Sequence, residues 1–116
     1  MCYESFVDFV EFFVIPQRNA NPTHIRFDGK IAGGNRQVVG MFRHQGKTWK
    51  VHADSHYEPI VLAYEFIKTN KDEDPFLEKT TASGSGNCLE LKSNIRQLST
   101  KPRFKHLYIY EVAKHS

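Results

Sequence analysis

Two hydrophobic periods divide this chain. Over residues 3–15 the apolar positions recur at helical spacing. Phe6, Phe9, Val10 and Phe13 form the stripe, Val7 and Val14 widen it, and Glu4, Asp8 and Glu11 lie opposite. That spacing predicts an amphipathic helix. Pro16 sets its expected end at Ile15, because a residue before proline is pushed out of the α region. The polar run QRNANP then reads as a loop.

From Thr23 the period switches to two. Ile25, Phe27 and Ile31 point one way, and His24, Arg26, Asp28 and Lys30 the other. After the turn IAGGN, the runs RQVVGMFRH and KTWKVHA are joined by Gln45-Gly46 alone. A two-residue loop ending in glycine marks a hairpin and fixes its register. The expected pairs are Phe42 with Trp49, Gly40 with Val51 and Val38 with Ala53 on one face. Arg43 with Thr48, Met41 with Lys50 and Val39 with His52 occupy the other. A slip of one residue would turn Trp49 to water and bury Lys50, so the pattern of apolar positions holds the register.

Residues 58–70, EPIVLAYEFIKTN, predict a second, well-buried helix on the inner side of the sheet. Pro59 fits its first turn. Asp54, Ser55 or Glu58 is the expected cap or charge at its N-terminus. KDEDP ends the helix, TTASGSGN is a loop, and CLELKS is a short strand with Leu89 and Leu91 inward. RFKHLYIYEVA is a strand with both faces covered, which places it centrally. The order is α-β-β-β-α-β-β. We expect an α+β fold, an antiparallel sheet with helices packed on one face, as a single domain spanning residues 1–116.

The first helix, three strands and second helix resemble the order of the double-stranded-RNA-binding domain. That resemblance implies a lysine cluster opening the second helix. Here the residues are SHYEP, where Glu58 repels phosphate, so no binding residue follows from the likeness.

Composition adds exclusions. The 116 residues are 40% hydrophobic and 25% charged, ordinary for a soluble protein. No apolar run approaches the roughly 18 residues of a membrane span, and acids interrupt the N-terminal stretch where a signal peptide would be uncharged. Cys2 and Cys88 have no metal-binding spacing. They read as free thiols of a reducing compartment, with a single bridge as the alternative, and the expected location is the cytoplasm.

Charge changes the picture more. The formal net charge is +3, but it falls in blocks. Residues 24–52 hold six Lys/Arg and one acid, and residues 54–78 hold seven acids and two bases. The outer face of the expected sheet therefore gathers Arg26, Lys30, Arg43, Lys50 and His52, with Arg36 and Lys47 extending it at the turns. Cations so arranged displace condensed counterions from a nucleic acid or another polyanion. Lys105 and Tyr108 or Tyr110 would join this patch if the last strand entered the same sheet.

Three other readings compete. The acidic residues Glu58, Glu65, Asp72, Glu73, Asp74 and Glu78 suit a protein partner, as in an inhibitor or immunity-type module. His52, Asp54 and His56 would share one face of a continuing strand, as metal ligands do. Asp74 with Glu90 and Lys92 has the residue types of a metal-dependent nuclease. An exposed edge strand would also suit a homodimer. The sequence-level expectation is a binding protein without catalytic activity, cofactor or membrane contact.

Overall fold

The structure is a computed structural model, described over residues 2–20, 22, 38–53, 55–80, 86–100 and 107–112. Its elements follow in the order β1 (Cys2–Tyr3), helix α1 (residues 6–20), β2 (Val38–His44), β3 (Lys47–His52), α2 (Tyr57–Thr69), β4 (Phe76–Thr80), β5 (Asn87–Leu91), α3 (Ser93–Arg96) and β6 (Ile109–Glu111). The fold is mixed α+β. The strands form one sheet in the order β1-β2-β3-β6-β5-β4, antiparallel except between β1 and β2.

Helix α1 begins where Ser5 caps it, its hydroxyl accepting from the Asp8 N–H at 3.1 Å. The helix does not stop at Ile15. It runs as an α segment Phe6–Phe9, a π segment Val10–Val14 and a second α segment Ile15–Ala20. In the π segment Ile15 N–H bonds to the Val10 carbonyl five residues back. A proline ring clashes with the carbonyl four residues before it in an α turn. The wider turn just upstream gives Pro16 room, which is how the chain stays helical through it.

The hairpin keeps most of its expected register. Phe42 faces Trp49, Gly40 faces Val51, Met41 faces Lys50 and Arg43 faces Thr48. Gln45 and Gly46 both have positive φ, 52° and 78°, which is the twist a two-residue hairpin loop requires. The far end departs from expectation. The register shifts between Val38 and Gly40, so Val38 faces His52 rather than Ala53, and Val39 does not pair with His52. A bulge of this kind adds one residue to one strand.

Phe42, Trp49, Val51, Leu89, Leu91 and Ile109 are buried in a single core. Phe6 and Phe9 of α1 lie against Phe42, with ring centroids 5.1 and 5.6 Å away, and Phe6 also meets Phe76 edge-on at 5.0 Å. Ile60, Ala63 and Ile67 of α2 join the same cluster. Tyr64 of α2 donates to Glu11 of α1 at 2.6 Å, which ties the two helices together.

Other expectations change. Two strands, β1 and β4, stand where the pattern predicted a helix start and a connection. The strand expected from Thr23 to Ile31 lies outside the described residues. The N-cap of α2 is His56, whose side chain makes no capping hydrogen bond to the first turn. Ser55 is buried and accepts from Tyr108 N–H at 3.3 Å, and Glu58 accepts from Ser99 and Thr100. The last strand is central as expected, between β3 and β5.

Candidate functional site on the outer sheet face

The site is built by strand pairing. Because side chains alternate along a strand, the neighbours of buried Phe42, Trp49, Val51, Leu89 and Ile109 point to the opposite face. One rank crosses all six strands on that face. Cys2 faces Met41, Met41 faces Lys50, Lys50 faces Tyr110, Tyr110 faces Cys88, and Cys88 faces Lys79.

This rank settles the cysteines. Four strand spacings separate Cys2 from Cys88, about 19 Å at roughly 4.8 Å each. A disulfide needs Cα atoms within about 7 Å. Both are free thiols.

Of the cationic residues chosen from sequence, Arg43, Lys50 and His52 come together on this face. Arg43 is exposed and Lys50 is half-buried. His52 packs edge-on against Tyr110, with ring centroids 5.0 Å apart. Lys47 does not join them. It alternates to the Trp49 side, bonds Glu78 at 2.6 Å and lies 3.8 Å from Glu111. The hydrogen bond to Glu78 raises its pKa, with the Glu111 and Glu78 charges adding to the effect against burial. Asn87 Nδ2 completes this network, donating to Glu78 and Glu111. Arg26, Lys30 and Arg36 lie outside the described residues.

Sequence reasoning missed the part of the face contributed by β4 and β5. Lys79 and Glu90 sit there as an ion pair at 3.0 Å. The signal was present: FLEKT and NCLEL flank a run of small residues, which reads as a hairpin. Next to this pair a groove of about 270 Å³ opens between β5, β6 and α3, lined in part by Cys88, Glu90, Arg96, Tyr108 and Tyr110. Burial pushes the Cys88 thiol pKa up, Glu90 pushes it further, and Lys79 partly opposes them.

The residues of the competing sites have other partners where the structure describes them. Asp74 holds His44 at 3.2 Å, also bonds Gln45, and accepts from Phe76 N–H. Those partners lie away from Glu90, which pairs with Lys79 on the outer face. Asp54 lies outside the described residues, and among the described residues no three metal-ligating side chains cluster. Three of the six acids in the acidic block, Glu58, Asp74 and Glu78, bind neighbours within the chain.

Among the described residues, no helix is long and apolar enough to cross a membrane. Comparison with family models, curated proteins and solved structures finds no match for this chain. The likeness in element order to the double-stranded-RNA-binding domain therefore carries no family membership.

Proposed function

We propose that this protein binds a polyanion, nucleic acid in particular, on its outer sheet face. Arg43 and Lys50 supply the charge, and the contact is with phosphate and indifferent to sequence. Arg26, Lys30 and Arg36 belong to the proposal from their place in the sequence. The observation that carries the reading is Lys50 facing Tyr110 across β3 and β6. It puts a lysine and a tyrosine at paired positions on a face turned away from Phe42 and Trp49. Phe6 and Phe9 packing on the Phe42 side supports the view that α1 leaves this face open.

Retention on heparin or DNA tests the reading. It should fall steeply with salt, because each phosphate contact releases counterions. Arg43→Glu and Lys50→Glu together should abolish it, and neutralising either residue alone should reduce the salt slope by about one. No retention at low salt would remove the proposal.

A further inference from the structure

We propose that the groove beside Tyr110 accepts the bases of a single-stranded polynucleotide, with its phosphates held by Lys50 and Arg96. The inference rests on the polyanion reading of this face and narrows it to one ligand class.

The arrangement of the rank is the first argument. Reading across β3, β6, β5 and β4, it presents Lys50, Tyr110, Cys88 and Lys79. Lysine positions thus stand at both ends of a tyrosine and a small thiol, with the Lys79 ammonium already paired to Glu90. Arg96 lines the groove from α3. Glu90 is the acid in the groove, and Lys79 holds it at 3.0 Å. The charge suits an anion whose phosphates flank a flat, weakly polar group.

Shape is the second argument. Small-molecule pockets usually span roughly 300–1,000 Å³. At about 270 Å³ this groove lies just below that range, suited to a single ring system. A duplex keeps its bases stacked inside and offers only backbone to such a surface. Single strands can splay a base out and stack it on an aromatic side chain, with little dependence on sequence.

The ring is also braced. His52 meets Tyr110 edge-on at 5.0 Å, and strand pairing fixes the Tyr110 backbone on both sides. A ring already held in place loses less freedom when a base packs on it.

Fluorescent oligothymidylate and oligouridylate of about twelve nucleotides, within the ~4–16 typical of such sites, would be titrated against a hairpin duplex and heparin. Binding of either oligonucleotide more tightly than the duplex supports the proposal, and the preferred one tells DNA from RNA. Tyr110→Ala should weaken single-strand binding by roughly 5- to 150-fold and leave heparin unchanged, with Tyr110→Phe retaining affinity. A second measurement leaves the groove intact. In a Cys2→Ser protein, oligonucleotide should slow alkylation of Cys88 by iodoacetamide, and heparin should not. Equal affinity for duplex and single strand, or undiminished alkylation of Cys88 at saturating oligonucleotide, overturns the inference and leaves the polyanion reading standing. Failure of heparin and every nucleic acid to bind at low salt overturns both.

Discussion

Phe9 lies across Gly40 so closely that a Cβ on that glycine would stand 2.6 Å from Phe9 Cε1. Phe9 is fully buried and stacks on Phe42, with ring centroids 5.6 Å apart, so the ring has little room to retreat. The missing side chain at Gly40 lets α1 sit directly on β2. Gly40→Ala should therefore destabilise the protein by about 1–3 kcal/mol, the usual effect of overpacking. Phe9→Leu in the same chain should recover part of that loss, a coupling visible in a double-mutant cycle. An unchanged urea midpoint for Gly40→Ala would mean the ring is elsewhere.

The hairpin register predicts opposite sensitivities at adjacent positions. Trp49 is fully buried and its Nε1 donates to the His44 carbonyl at 3.1 Å. Trp49→Ala should cost about 3–5 kcal/mol. Lys50→Ala, one residue on, should stay within about 0.5 kcal/mol, as surface changes do. Equilibrium unfolding of the two variants reads the register directly, since a slip by one residue would reverse the order.

Lys47 gives a stability signature at high pH. Its bond to Glu78 raises its pKa above the ordinary 10.5. A group held more strongly in its protonated form by the fold stabilises that fold fully below its unfolded pKa. The contribution is lost as pH rises through the higher folded value. The midpoint difference between the parent protein and Lys47→Met should be steady from neutral pH to about 10, then shrink. A difference that persists well above that range would mean the ion pair is not its source.

Cys88 should react slowly at neutral pH. Burial and the Glu90 charge raise its pKa above 9.0, and the thiolate is the reactive form. In the Cys2→Ser protein, the pH profile of iodoacetamide alkylation should inflect above that value. Glu90→Gln removes a negative charge beside the thiol, so the inflection should move down. An inflection that rises or stays fixed would show that Glu90 does not act on the sulfur.

The pattern along the chain carried the local structure well. Alternation and a two-residue loop gave the Phe42–Trp49 pair, and the inward Leu89 and Leu91 were legible in CLEL. It misjudged Pro16, because a π turn relieves a clash that an α-helix could not. It also overlooked β4, whose exposed residues from Leu77 to Thr80 leave only Phe76 as a core anchor.

Period and turn length determined which side chains share a face within one hairpin, because those contacts lie close in sequence. Which strands become neighbours was decided only by packing of distant segments. Inserting β6 between β3 and β5 brought Tyr110 beside Lys50 and Cys88 beside Tyr110, and set Lys47 against Glu78 and Glu111. No short-range pattern encodes such pairings, since their energy comes from burying a shared core across the whole chain.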